Sequence, residues 1–425
     1  MSTPDHSGPP SFSPEQNLRP EETAGPAGGQ VDTTNQINIP GVEPSVPLSP
    51  GIQSPDLRAS STQARSEARH WVVVVGASAG GLEAVRELVA GLPADFPAAV
   101  LIVIHTSPTG PNMLAEILSR GSALPVSTAS DGETLRPGHI YVARPDHHLL
   151  LDDGHLAVKR GPRENRYRPS VDALFRSAAY THGDAVIGVV LSGMLDDGTS
   201  GLWTVKRLGG VSVVQTPGDA LYDSMPQSAL DNVDVDYVLP APSIGPLLTR
   251  LVQDTPGPAE VPMQQGDVPL SSGPGSRTAL SDTERRRLEI EVQAAAEGSA
   301  FELGLMNIGE LSPFTCPECH GVLIRFREGR LTRFRCHTGH AYTASSLMES
   351  IEHSVESTLY HALRSLEESV MLFRQMERWQ RELDDAPAAR IFGEKARRAE
   401  LFARQVQAMS SRPVDAGAEA TDAAG

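Results

Sequence analysis

Short apolar runs and polar breaks alternate through the middle of the chain. Val72–Val75 is four valines in succession, which reads as a strand buried on both faces of a parallel sheet. Ala99–His105, His139–Ala143, Ala185–Leu191, Val211–Gln215 and Tyr237–Leu239 repeat that signal. Between them lie stretches whose apolar positions recur at helical spacing: Leu82–Leu92, Asn112–Arg120, Ser170–Thr181, Ser200–Leu208, Met225–Asn232 and Ser243–Val252. Leu149–Leu151 and Leu156–Lys159 flank Asp152-Asp153-Gly154, a hairpin turn signal. The alternation over 70–252 predicts an α/β domain with a doubly wound, mostly parallel sheet and helices on both faces.

The pattern changes on either side. Residues 1–69 are rich in Pro, Ser, Gly, Gln and Glu, and Phe12 is their only aromatic residue. Such a segment cannot bury enough apolar surface to offset chain entropy, so a disordered tail is expected. Residues 253–280 read as a flexible linker. Ser281-Asp282-Thr283-Glu284 fits a capping box that starts a helix to about Ala296, within a helical connector over 281–311. Residues 312–345 hold a cysteine cluster. From Ser346 onward Leu347, Ile351, Val355, Leu359, Leu363 and Leu366 keep one apolar stripe until Asp384-Asp385-Ala386-Pro387 interrupts it. That predicts a helical hairpin over 346–410, followed by a frayed acidic tail at 411–425.

Charge and composition narrow the function. The chain has 425 residues, 53 acidic and 36 basic, for a net charge of −17. This acidity argues against nucleic-acid binding, which wants a basic face. No apolar run approaches about 18 residues, so no membrane insertion is expected. The start, MSTPDHSGPP, lacks the pattern of a secretory leader. The three cysteines cluster, which suits metal ligation in a reducing compartment and predicts a cytoplasmic protein.

Candidate chemistry begins directly after the first strand. Gly76-Ala77-Ser78-Ala79-Gly80 is G-x-S-x-G between strand and helix, the context of a nucleophile elbow. The alternatives are a glycine turn that binds phosphate, or one that only joins two elements. In a doubly wound sheet, reactive groups collect beyond the carboxyl ends of the strands. His105 follows the second long strand, and Ser192-Gly193-Met194-Leu195-Asp196-Asp197-Gly198 follows the run ending at Leu191. A strand-end histidine alone is more often structural, and Asp-Asp-Gly alone is more often a turn. Their shared edge with Ser78 favours a Ser-His-Asp triad of Ser78, His105 and Asp197. His139, His147, His148 and His155 are read as structural.

Cys316-Pro317-Glu318-Cys319 and Cys336-His337-Thr338-Gly339-His340 carry metal-ligand spacing. Val322–Phe326 and Leu331–Phe334 flank Glu328-Gly329-Arg330 and suggest a hairpin between two knuckles. The reading is a small zinc ribbon with a Cys3His shell: Cys316, Cys319, Cys336 and a histidine, with His340, His337 and His320 competing for the fourth place. A closed shell makes the zinc structural, and no catalytic cofactor is expected.

Several separated motifs, in order from Val72 to Leu239, resemble the catalytic domain of the chemotaxis protein-glutamate methylesterases, the CheB family. They are GASAGG at Gly76–Gly81, the strand ending in His105, NMLAEILSR at Asn112–Arg120, RPSVDALFRSAA at Arg168–Ala179, LSGMLDDGTSGL at Leu191–Leu202 and MPQSAL at Met225–Leu230. The resemblance implies hydrolysis of glutamyl γ-methyl esters on chemoreceptor-like proteins, with glutamine deamidation as a companion activity. It implies Ser78 as nucleophile, His105 as general base and then acid, and Asp197 as the group orienting His105. Met194 would line the site, with its N–H and that of Ala79 as oxyanion donors. The family commonly has threonine after the nucleophile; here Ala79 keeps the N–H without the hydroxyl. Chemotaxis members usually carry an N-terminal receiver domain, which residues 1–69 are too short and polar to form.

A similar CPxC and C-x-x-G-H module occurs beside stand-alone domains of this type, which favours His340 as the fourth ligand. The helices after it are read as a partner-binding or dimerising element, with a self-packed hairpin as the plainer alternative. A rival reading for the whole chain is a signalling scaffold that keeps the fold but acts by binding, and another is an esterase with a different substrate.

Overall fold

The structure, a computed structural model, describes residues 70–253 and 280–410. The expected tails at 1–69 and 411–425, and the linker between 253 and 280, lie outside the described residues.

The first part runs β1 (Val72–Ala77), α1 (Gly81–Ala90), β2 (Ala99–Ile104), α2 (Leu114–Ser119), β3 (Val126–Thr128) and β4 (Ile140–Val142). It continues through β5 (His148–Asp152), β6 (His155–Lys159), α3 (Val171–His182), β7 (Val186–Val190) and α4 (Thr199–Arg207). It ends with β8 (Val211–Gln215), α5 (Ser224–Asn232), β9 (Tyr237–Leu239) and α6 (Ala241–Gln253). Seven strands form one sheet in the order β3-β4-β2-β1-β7-β8-β9, and every pairing in it is parallel. The sheet is therefore parallel throughout; the antiparallel β5-β6 hairpin stands apart as its own two-stranded sheet.

The valine run explains why β1 is central. All six of its residues are buried. Val73 and Val75 pack with Leu88 of α1 and Leu248 of α6, while Val72 and Val74 pack with Phe175 of α3 and Leu202 of α4. Burying each such side chain contributes about 1.5–3 kcal/mol. The winding reverses at β1: the chain moves outward through β2 and β4 on one side, then returns to β7, β8 and β9 on the other. This reversal is the topological switch point, where strand ends splay and leave a crevice.

The sequence pattern did not reveal β3. It is three residues long and half-buried, too short to show a period.

The second part comprises α7 (Asp282–Glu297), β10 (Glu310–Thr315), β11 (Val322–Glu328), β12 (Leu331–Cys336), β13 (Ala341–Thr343), α8 (Ala344–Glu382) and α9 (Ala386–Ser410). The capping box opens α7: Glu284 N–H donates to Ser281 Oγ, and Ser281 N–H donates to Glu284 Oε2. The antiparallel sheet β10-β11-β12-β13 adds two outer strands to the expected hairpin. At 39 residues, α8 is about 58 Å long. It does not keep the expected stripe covered. Arg374 pairs with Glu400 and Glu377 lies against Gly393, so α9 runs back antiparallel and reaches only to about Tyr360. Ile351 and Val355 lie beyond it and are 38% and 50% exposed. No helix among the described residues is long and apolar enough to cross a membrane.

Buried charge joins the two parts. Glu164, Glu291, Glu328, Arg176, Arg333 and Arg335 are all buried. Arg176 Nη1 donates to Glu164 Oε2 at 3.0 Å, Arg333 Nη1 to Glu291 Oε2 at 2.9 Å, and Arg335 Nη2 to Glu164 Oε1. Ser200 Oγ of α4 donates to Glu328 of β11 at 2.6 Å. Burial pushes Glu164 up, but the charges of Arg176, Arg335 and Arg333 outweigh it and hold the carboxyl far below its usual range. The same balance, led by Arg333, lowers Glu291 to about 2.

Removing one member leaves partners charged and buried, so Glu164→Ala is expected to cost about 3–5 kcal/mol in chemical denaturation. Folded carboxyls held low contribute stability above the unfolded value of about 4.3, and it is lost as pH falls from there toward the folded value. The difference between wild type and Glu164→Ala should shrink over that acid window. A variant as stable as wild type at pH 7 would remove the cluster from this role.

Candidate active site and metal-ligand cluster

Three neighbouring strands deliver the predicted residues. Ser78 follows β1, His105 follows β2 and the segment reaching Asp197 follows β7, all at the carboxyl edge beside the switch point. His105 Nδ1 lies 3.0 Å from Ser78 Oγ, and His105 Nε2 lies 2.7 Å from Asp197 Oδ2. In the tautomer that serves both contacts, Nε2–H donates to the carboxylate and bare Nδ1 accepts from the hydroxyl. The ring nitrogens are thus used in the opposite sense to the chymotrypsin arrangement, where Nε2 faces the serine. Tyr167 stacks on His105 with ring centroids 3.6 Å apart and planes at 10°, which fixes the imidazole plane.

Asp197 is almost fully buried and accepts five hydrogen bonds. Oδ2 takes His105 Nε2–H and Val171 N–H, while Oδ1 takes Ser170 Oγ–H, Asp172 N–H and Asn165 Nδ2–H. Burial raises Asp197, but the His105 hydrogen bond and charge, followed by Asn165 and Val171, more than reverse this and hold it below the ordinary carboxylate range. Asp172, buried beside it, is pushed up to about 8 by burial first and then by the Asp197 charge. The two carboxyls are driven apart, which keeps the charge on Asp197.

The turns around Ser78 are sterically set. Gly80 has φ 68°, a left-handed conformation; it closes the elbow and is the N-cap of α1. A Cβ on Gly193 would lie 2.0 Å from Met225 Sδ and 2.8 Å from Ser78 Cβ, so only glycine lets this loop approach. Leu195 takes φ 63° between Met194 and Asp196, a conformation costing a non-glycine residue about 1–3 kcal/mol. Among the described residues, the Ala79 and Met194 N–H groups donate to no other group. Met194, Leu221 and Tyr222 form an exposed apolar rim, with Met194 51% and Leu221 76% exposed.

Asn165, Tyr167, Ser170 and Asp172 were not singled out as site residues from the sequence. Ser170 and Asp172 lie inside the RPSVDALFRSAA motif, which was the available signal. Asn165 and Tyr167 reach the triad only through loop geometry. His148 is buried, with Nε2 bonded to Pro162 O and Nδ1 accepting Ser170 N–H, and so props the loop under Asp197.

Cys316, Cys319, Cys336 and His340 present ligand atoms that all lie within 4.8 Å of one another, a group able to hold a metal ion. Two knuckles bring them together: Cys316 N–H donates to Gly321 O at one, and Cys336 N–H to His340 O at the other. His337 and His320 are exposed and outside the group. The separations fit a tetrahedron. Cys319 and Cys336 Sγ are 3.5 Å apart, and His340 Nδ1 lies 3.7 Å from Cys316 Sγ and 3.6 Å from Cys336 Sγ. Zinc–sulfur and zinc–nitrogen bonds of about 2.3 and 2.0 Å require edges of roughly 3.5–3.8 Å. His340 Nε2 is 3.4 Å from Glu318, the kind of outer contact that orients a ligating imidazole.

Residues 73–248 match the family model described as CheB methylesterase. The chain is 43% identical over 184 residues to protein-glutamate methylesterase/protein-glutamine glutaminase 5 of Anaeromyxobacter dehalogenans, covering 42% of this chain and 51% of that protein. A Leptospira interrogans protein, named provisionally for the same two activities, is 37% identical over 183 residues, covering 43% of this chain and 95% of the relative. The chain thus spans about half the length of the first relative and nearly all of the second. The crystal structure of the Thermotoga maritima CheB methylesterase catalytic domain is 34% identical, covers 44% of this chain and 100% of that one, and gives a TM-score of 0.42.

The hydrogen-bonded serine should be reactive in itself. A fluorophosphonate probe is expected to label Ser78 stoichiometrically, and His105→Ala should abolish the labelling. A folded protein that stays unlabelled would argue for a binding role instead.

Proposed function

The chain belongs to the CheB methylesterase family, and from this premise we propose that it hydrolyses glutamyl γ-methyl esters on chemoreceptor-like signalling proteins through Ser78, His105 and Asp197. The observation that carries the reading is the unbroken chain of hydrogen bonds from Ser78 Oγ through His105 to Asp197, inside the matched segment.

In the proposed mechanism, Ser78 Oγ attacks the ester carbonyl as His105 Nδ1 takes its proton. Asp197 stabilises the imidazolium through the Nε2–H bond and holds its plane with Tyr167. The tetrahedral oxyanion is met by the Ala79 and Met194 N–H groups, whose freedom from other acceptors supports that role. His105 returns the proton to the methoxide, and methanol leaves. Water, activated by the same imidazole, then releases the glutamate side chain and regenerates Ser78. An amide in place of the ester would lose ammonia by the same route, which is glutamine deamidation. The exposed rim of Met194, Leu221 and Tyr222 supports a protein substrate, because a helical surface can lie across it while one side chain enters.

Cys316, Cys319, Cys336 and His340 would hold a structural zinc ion. The full shell leaves no position for catalysis, and the esterase chemistry needs no cofactor. Thiolate ligands favour a reducing, cytoplasmic setting.

Methanol release from a methylated receptor fragment is expected to fall at least about a thousandfold in Ser78→Ala. Equal release by wild type and variant would sink the mechanism. Elemental analysis should find one zinc per chain in the purified protein and none in Cys319→Ser; protein purified without metal would overturn the structural-zinc reading.

A further inference from the structure

The triad's carboxylate is held partly from outside its own domain. Asn165 sits on the loop before α3 and is buried. Its Nδ2 donates to Asp197 Oδ1 at 2.9 Å and to Asp172 Oδ2 at 2.8 Å. Both amide hydrogens are therefore committed to the two carboxyls behind His105. Its Oδ1 accepts from Thr343 N–H at 3.0 Å and from Ser346 Oγ–H at 3.1 Å. Thr343 and Ser346 are the N-cap and N3 residues of α8, joined in a capping box. Asn165 N–H also donates to Ala341 O of β13 at 2.8 Å.

The cap also touches the residue before the acid. Thr343 Oγ1 donates to Asp196 Oδ1 at 2.8 Å. Asp196 is buried and directly precedes Asp197. The loop itself leans on the C-terminal part: Arg166 pairs with Glu349 of α8, and Glu164 lies among Arg333 and Arg335 of β12. Asn165 and Arg166 have φ 50° and 73°, so the loop holds two consecutive non-glycine residues in the left-handed region. Such a backbone persists only where its surroundings over-determine it.

We propose that Asn165 is a positioning residue for Asp197, set by the N-cap of α8, so that the C-terminal module is an integral part of the esterase site. The proposal rests on the esterase reading above. Asn165 touches neither substrate nor the reacting atoms. It fixes the carboxylate that fixes the imidazole, and an offset of about 1 Å at such a group can cost on the order of a hundredfold in rate.

The test uses the full-length chain and two readouts, methanol release and the rate of fluorophosphonate labelling at Ser78. Asn165→Ala and Thr343→Val should each lower kcat and the labelling rate by about tenfold or more, with KM within about twofold of wild type. Thr343→Ser keeps the hydroxyl and should retain most of the rate. Leu248→Ala, in the α6 face of the core, serves as a control that lowers Tm without touching this loop, and its kcat should stay near wild type. Wild-type rates in both Asn165→Ala and Thr343→Val would overturn the proposal. So would losses in all variants that follow Tm alone, Leu248→Ala included. A wild-type protein that neither labels nor releases methanol would sink the esterase reading itself, a different failure from an active enzyme indifferent to Asn165.

Discussion

A carboxylate with almost no access to water must be surrounded by donors, and that requirement at Asp197 organises this molecule. Five donors converge on its two oxygens, and they come from β2, the loop before α3, the start of α3 and the side chain of Asn165. Each must be aimed by something else. Val171 and Asp172 present their N–H groups because they open α3, whose first-turn donors have no partner within the helix. His148 holds Ser170, the α8 cap holds Asn165, and Tyr167 holds His105. The same buried site separates two carboxyls: Asp172 is raised by burial and by its neighbour's charge, which leaves Asp197 as the ionised partner for His105.

The sheet was readable because its strands are buried on both faces. Val72–Val75 and Val211–Gln215 announce themselves as apolar runs, and their observed ends fall within a residue or two of expectation. The meeting of Ser78, His105 and Asp197 at one edge was readable for a related reason. A parallel sheet delivers every strand's carboxyl end to one edge, so residues distant in sequence are brought together by topology alone. The clustering of Cys316, Cys319 and Cys336 was readable from spacing, whereas spacing left the neighbouring histidine open among His340, His337 and His320; the knuckles bring His340 to the cysteines.

The rest was not legible, for physical reasons that differ by residue. Asn165 and Tyr167 act through a loop with two left-handed residues, and neither Asn165-Arg166 nor its neighbours carries a glycine to signal that turn. The contacts of Asn165 with Thr343 and Ser346 span some 180 positions, a distance no periodicity can bridge. The burial of Arg333 and Arg335 runs against composition, since arginine on a short strand reads as a solvent face. It becomes intelligible only when Glu164 and Glu291 arrive from other elements to share the same space. The stripe on α8 misled in the other direction: Ile351 and Val355 keep helical spacing with buried Leu347, yet α9 stops short of them. Periodicity states which face is apolar, whereas the length of the partner decides how much of it is covered.

The placement of the C-terminal part follows from these contacts. β13 runs directly from His340 to the cap residue Thr343, so one short strand separates the cysteine–histidine cluster from the hydroxyl that meets Asp196. The end of α8 that abuts the acid is its N-terminus, whose unpaired N–H groups favour nearby negative charge. Had the helix run the other way, its carbonyl end would have opposed the buried carboxylates. Direction, cap chemistry and the arginine–glutamate cluster therefore agree on one docking geometry. They agree although, among the described residues, none of this part hydrogen-bonds Ser78. A module of this kind contributes by limiting the positions that the acid and its loop can adopt. That also accounts for burying so many charges at the junction. Breaking any one pair leaves its partner charged and buried, so the cluster disfavours every register between the ribbon and the sheet that separates its members.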